Sequence, residues 1–188
     1  MAAVEGPADE YILMRVAALA GAGIGPVYGR HGKGYLRNHI VNYDRVARHR
    51  PWCVLADLNH DASCAPSLMA QWLPQPAPLM RLRIAVREVE AWLLADAQRL
   101  AAFLSIPVSH VPISPEDLPD PKRTLVDLAR RSRSRAIKQD MVPRPGTGRS
   151  VGPAYTSRIQ ESAATWPRAG APASPPRMPI ASTGAFPV

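Results

Sequence analysis

The chain has 188 residues, 46% hydrophobic and 20% charged, enough for one domain with an ordinary core plus an appendage. Its two cysteines exclude a disulfide-dense secreted scaffold and a four-cysteine zinc site, and its 21 prolines place part of the chain outside helices and central strands. Glu5, Asp9 and Glu10 interrupt any secretory apolar run, and Val16 to Gly29 is too short and glycine-broken to span a bilayer, so the expectation is a reduced cytoplasmic protein without a membrane partner.

The net charge of +8 is unevenly placed. Residues 1–121 hold 11 Lys and Arg against 12 Asp and Glu, whereas residues 122–149 hold 9 against 2. Clustered cations gain affinity for polyanions by releasing condensed counterions, so the stripe Arg130, Arg131, Arg133, Arg135 and Lys138 points to phosphate binding. A solvated helix face is the competing reading of the same residues.

In chain order, Met1 to Glu5 reads as a short first strand, and Gly6-Pro7 as a turn. Asp9 and Glu10 suit the start of a helix, where carboxylates meet the positive end of the helix dipole. Ile12, Leu13, Val16, Leu19 and Ala20 give that helix its apolar face. Ile24 to Tyr28 is a second strand, followed by a glycine-rich loop at 29–34 and a second helix marked by Leu36, Ile40, Tyr43 and Ala47. Trp52 to Ala56 is continuously apolar, as a strand buried on both faces should be, and Asp57 follows it without a spacer. Pro66 to Leu73 is a short helix, with proline at its favoured start.

Leu82, Ile84 and Val86 alternate with other residues and define a fourth strand; if it runs on to Glu90, then Glu88 and Glu90 extend the same face. Val89 to Leu104 reads as one amphipathic helix. Lys122 to Ala136 reads as a basic helix, and Tyr155 to Thr165 as the last one. Alternating strands and helices predict an α/β fold with a mainly parallel four-stranded sheet flanked by helices. Three regions result: an α/β core over 1–106, a basic helical extension over 107–166 packed on it, and a Pro/Ala-rich tail over 167–188 expected to stay disordered.

In an open parallel sheet the working crevice lies beyond the carboxyl ends of the strands. Glu5, the Asp57/Asn59/Asp61 group and the Glu88/Glu90 pair are expected there. Converging carboxylates repel, and a divalent cation relieves the repulsion; hard oxygen donors of this kind suit Mg²⁺ or Mn²⁺. Structural roles compete at each position. Glu5 also reads as an exposed turn residue, Glu90 as an ion-pair partner of Arg87, and His60 and Asp61 as loop residues. Cys53 reads as a core thiol, and Cys64 as a loop thiol with no helper base.

Val4-Glu-Gly-Pro-Ala-Asp-Glu10 followed by Val54-Leu-Ala-Asp-Leu-Asn59 resembles the TOPRIM pattern shared by topoisomerases, primases and overcoming-lysogenization-defect nucleases. With Val86 to Asp96, Pro115-Glu116 and Asp120-Pro-Lys122, residues 3–165 look like the TOPRIM-like family catalogued as domain of unknown function 4276. That resemblance implies Mg²⁺-dependent phosphodiester chemistry. Glu5 would act as general acid/base, Asp57 and position 59 would bind metal, Glu88 and Glu90 would match the family's Glu-x-Glu, and Lys122 its lysine. Lys122, Arg130, Arg131 and Arg133 would then bind substrate.

The resemblance also implies nucleic acid as a partner and, by association with mobile or phage-defence loci, an ATPase partner. Two departures stand out. Asn59 replaces an expected aspartate, which removes one charge from the metal site. The chain after Trp166 lacks a last apolar helix and has the composition of a shifted reading frame. The rival to a nuclease is a catalytically degenerate module that binds nucleic acid or an ATPase subunit.

Overall fold

The computed structural model describes residues 1–166, so the tail assigned to 167–188 lies outside the described residues. Four apolar runs form strands: β1 (Ala2–Val4), β2 (Val27–Gly29), β3 (Trp52–Asp57) and β4 (Met80–Ala85). They pair in parallel in the order β2-β1-β3-β4. In register, Ala3 lies opposite Tyr28 and Val54, and Asp57 lies opposite Ala85. The second strand is shorter and later than Ile24–Tyr28 because Gly25-Pro26 delays pairing; the first bond to β1 runs from Ala2 N–H to Pro26 O.

Helices α1 (Pro7–Leu19), α2 (Gly32–Val46) and α3 (Ala65–Trp72) connect successive strands. The two-residue strand period then divides the core into two layers. Ala3, Val54, Ala56, Leu82 and Ile84 face a layer that holds Leu36 and Ile40 of α2 and Leu68 of α3. A ladder of rings (His31, Tyr35, His39, Tyr43, Trp52 and Tyr28) runs along α2 and ties it to β2 and β3. Ala2, Val4, Leu55 and Ala85 face the other layer, which begins with Ile12 and Leu13 of α1.

That second layer is completed by α4 (Glu90–Ala95), α5 (Ala97–Leu104), α6 (Pro121–Arg130), α7 (Arg135–Met141) and α8 (Tyr155–Ala164). Leu125, Ile159 and Trp166 share one apolar cluster with Ile12 and Val4, so the segment after residue 106 packs on the sheet. Arg15 of α1 donates to Ala163 O and Trp166 O at the end of α8. Among the described residues no helix is long and apolar enough to cross a membrane.

Three expected elements differ. β4 stops at Ala85 rather than continuing to Glu90, because the backbone turns to meet β3's exit: Leu58 N–H binds Ala85 O and Asn59 N–H binds Arg87 O. The helix expected over Val89–Leu104 is two, since Asp96 caps α5 by accepting from Arg99 N–H. The basic helix is also two. Ser132 Oγ accepts from Ser134 N–H and Ser134 Oγ from Ile137 N–H, a local competition that ends α6 and starts α7.

Candidate active site at the carboxyl ends of the strands

The strand order reverses direction between β1 and β3, the place where open α/β sheets leave a crevice. Glu5 follows β1 and Asp57 ends β3, so both stand at that point. Glu5 Oε1 accepts the Asp57 N–H at 2.9 Å, which joins the two strand ends directly. The loop after β2 closes on the same spot: Arg30 N–H binds Val4 O and Gly32 N–H binds Glu5 O. Gly29 is needed there, with φ +88° and room for a Cβ only 2.4 Å from Val4 O.

Asp57 is buried, and its Oδ1 accepts the Val89 N–H at 3.0 Å, which pins the turn between β4 and α4. That turn delivers Glu90 as the first residue of α4, only 2% exposed. Glu90 Oε1 accepts from the Tyr155 hydroxyl at 3.2 Å, while Glu90 Oε2 is buried with no partner. Asp9, in the first turn of α1, binds Gly6 N–H through Oδ2 at 2.7 Å. Glu5 Oε2, Asp9 Oδ1 and Asp57 Oδ2 have no hydrogen-bond donor among the described residues.

Asp57 feels the charges of Asp9, Glu90 and Glu5, and Asp9 those of Glu90 and Glu5, so the four carboxyls form a cluster. Burial raises the Asp9 carboxyl to about 7, helped by the charges of Glu90 and Glu5 and opposed by the Gly6 N–H. Burial, then Asp9, Glu90 and Glu5, push Asp57 well above its ordinary range. Glu90 is raised chiefly by burial, with Lys122 opposing and Glu88 reinforcing. Glu5 is raised chiefly by burial, against the Asp57 N–H and Lys33.

The counter-charge is Lys122. Its Nζ lies 3.1 Å from Glu88 Oε1 and 3.6 Å from Glu90 Oε1, and its backbone N–H binds Glu88 Oε2 at 3.0 Å. Burial works against its ammonium charge, but Glu90 and Glu88 outweigh burial and raise its pKa.

Several expected site residues sit differently. Glu88 and Glu90 do not share a strand face; they precede and begin α4, and Lys122 brings them together. Arg87 does not pair with Glu90 but donates to Asn59 O at 2.9 Å. Asn59 follows the exit of β3 with φ 49°, and among the described residues no hydrogen bond holds its side chain. Asp61 is exposed and pairs with Lys33. Burial lifts the Cys53 thiol to about 11, the behaviour of a core residue.

Arg131 and Arg133 lie in the exposed turn between α6 and α7, away from a cleft of about 380 Å³ that opens beside Glu88 and Lys122. Arg130 lines that cleft, together with Arg123, Arg149 and Ser150. An apolar hollow of about 220 Å³ lies at the opposite end of the sheet, beside Met1, Ile24, Pro51 and Leu79, remote from the acids.

Asp9 and Tyr155 were not legible as site residues. Asp9 carries the same signal as any acid in a first helical turn, and its four-residue spacing from Glu5 is the only hint of more. Tyr155 is 65 residues from Glu90, and nothing local marks it.

Four carboxylates with free oxygens, one of them the orphaned buried Oε2 of Glu90, have the hard-oxygen chemistry that suits Mg²⁺ or Mn²⁺. Among the described residues, no group of three or more His, Cys, Asp and Glu is arranged to hold a metal ion. No family model, curated protein or solved structure matches the chain.

Proposed function

We propose that the protein is a TOPRIM-like, divalent-metal-dependent phosphodiester-cleaving enzyme that works in the cytoplasm on nucleic acid. The observation that carries this reading is the meeting of Glu5, Asp9, Asp57 and Glu90 at the β1/β3 crevice, beside a cleft whose lining carries four cations and three acids. Asp57 with Glu90 or Asp9 would hold Mg²⁺ or Mn²⁺ through one or two carboxylates, with water filling the remaining positions. A bound ion of this kind supplies electrostatic stabilisation of the charge that builds on a phosphoryl group in transfer.

The chain's own residues do the rest. Glu5 is anchored by one oxygen to the Asp57 N–H, so its free oxygen is aimed and available to take a proton from an attacking water. Its raised pKa brings it nearer the range where a carboxyl exchanges protons at neutral pH. Lys122 keeps Glu88 and Glu90 in place and presents an ammonium at the edge of the cleft. Positioning and charge, rather than covalent chemistry, would supply most of the rate.

A second reading has a specific observation behind it. Lys122 already supplies a cation to Glu88 and Glu90, and Asn59 provides no charge beside Asp57. A catalytically silent module that binds nucleic acid or an ATPase partner would look the same.

The deciding experiment incubates single- and double-stranded DNA and RNA with the full chain and Mg²⁺ or Mn²⁺, with Asp57→Ala as control. Metal-dependent cleavage that the variant loses is expected. Absence of cleavage, together with no metal response of the wild type in calorimetry, refutes the enzyme and leaves the binding module.

A further inference from the structure

We propose that the cleft between α6 and the 143–153 loop is a binding site for the phosphates of a single nucleic-acid strand, with Arg123 and Arg149 as its anion-binding pair. The consequence for cleavage rests on the nuclease reading above; the binding itself does not.

The argument starts from which charges in the cleft are already committed. Its lining carries Lys122, Arg123, Arg130 and Arg149 against Glu88, Asp120 and Asp127. Glu88 accepts from both the backbone and the side chain of Lys122. Asp127 pairs with Arg130 at 3.3 Å. Asp120 caps α6, taking the Arg123 N–H at 2.7 Å. Glu88 and Asp127 are therefore ion-paired, while Asp120 is held by a neutral N–H, so two guanidinium groups remain against one carboxylate charge. Among the described residues neither the Arg123 nor the Arg149 side chain meets a carboxylate.

Two unpaired guanidinium groups facing one cleft, with the Ser150 hydroxyl beside them, match the oxygens of a phosphate group; the planar fork donates in parallel and stays charged.

The mount for Arg149 is firm. The loop that carries it leaves α7 and returns to it, with Gly152 N–H bound to Met141 O and Ala154 N–H to Asp140 O. Gly152 makes this closure possible, since a Cβ there would lie 2.3 Å from Asp140 O. Arg123 sits on the first turn of α6, and Arg149 on a loop whose far end is tied back to α7.

At about 380 Å³ the cleft is near the lower end for small-ligand sites and has room for about one nucleotide unit, which an unpaired strand can insert and a stacked duplex cannot. Lys122 lines this cleft and also pairs with Glu90 of the carboxylate cluster, so a strand held here passes beside the acids.

The test measures anisotropy of a dye-labelled oligothymidylate with the full chain in chelator, so that no cleavage intervenes. The variants are Arg123→Ala with Arg149→Ala and, as an off-cleft control, Arg45→Ala with Arg48→Ala at the end of α2. All four side chains are exposed, and thermal melts check that each variant folds. The cleft pair should weaken binding about tenfold or more and flatten the log–log salt slope by about 1.4, two contacts at roughly 0.7 each on single strands. The control should change affinity less than about twofold, and a duplex of the same sequence should compete at least about tenfold more weakly.

Equal binding by wild type and cleft variant, an equal loss in the control, or equal affinity for duplex overturns the proposal. Cleft-dependent binding without metal-dependent cleavage leaves this proposal standing and removes the nuclease. Cleavage with unchanged binding in the cleft variant does the reverse.

Discussion

Replacing Asp9 by Asn probes the carboxylate cluster without touching the sheet. Asn is nearly isosteric with protonated Asp and can still accept the Gly6 N–H through its amide oxygen. In the folded protein Asp9 holds its proton up to about pH 7, against an unperturbed 3.8. Between those values the folded state carries one proton more than the unfolded state, so stability must fall as pH rises. The contribution is fully present below about pH 3.8 and is lost as pH passes through about 7.

The interval of about 3 units corresponds to roughly 4 kcal/mol at 1.36 kcal/mol per unit. Asp57, Glu90 and Glu5 share that repulsion and Lys122 opposes it, so the measured difference should lie between about 2 and 4 kcal/mol.

Urea unfolding followed by tryptophan fluorescence, in chelator, reads this directly. Wild type and Asp9→Asn should have similar midpoints near pH 4, and the variant should be the more stable by about pH 8. Millimolar Mg²⁺ should narrow the gap by stabilising the wild type more than the variant, because a bound cation replaces the proton at Asp9. A constant difference between the two proteins across this range would refute the assignment of Asp9 to a repelling cluster.

Tyr155→Phe removes the hydroxyl that Glu90 Oε1 accepts and leaves a buried oxygen short of a partner. It should cost about 1–3 kcal/mol at neutral pH, and a double-mutant cycle with Glu90→Gln should show coupling of about 1 kcal/mol; simple additivity would contradict the contact. Asn59→Asp should tighten Mg²⁺ binding in calorimetry by supplying an anionic donor beside Asp57, and an unchanged or weaker response would place residue 59 outside the metal's reach. Gly152→Ala forces the backbone at Asp140 and Met141 to shift, with an expected loss of about 1–3 kcal/mol in the urea midpoint. Because the same shift displaces Arg149, weaker oligothymidylate binding should accompany it; full stability would mean the loop is not closed at Met141.

The chain's own pattern determined the α/β alternation, the buried third strand and the presence of acids just beyond strand ends. Strand and helix periodicity depend on neighbours within a few residues, so Trp52 to Asp57 and Leu36 to Ala47 are readable locally. The glutamate after β1 and the aspartate after β3 followed from the same logic, since parallel sheets expose that end.

What the sequence could not decide were pairings between distant segments. Where β4 ends depends on Val89 N–H finding Asp57, 32 residues away, and the fate of Glu90 depends on Tyr155 and Lys122. The break of the basic stripe turned on two serine caps competing with a continuous helix, a choice with nearly equal local propensities that tertiary packing settles. Charge along the chain located a basic region. Only the folding of α6 against the 143–153 loop selected Arg123 and Arg149 from it, because a cleft is made by surfaces that meet in space and carries no periodic mark in the chain.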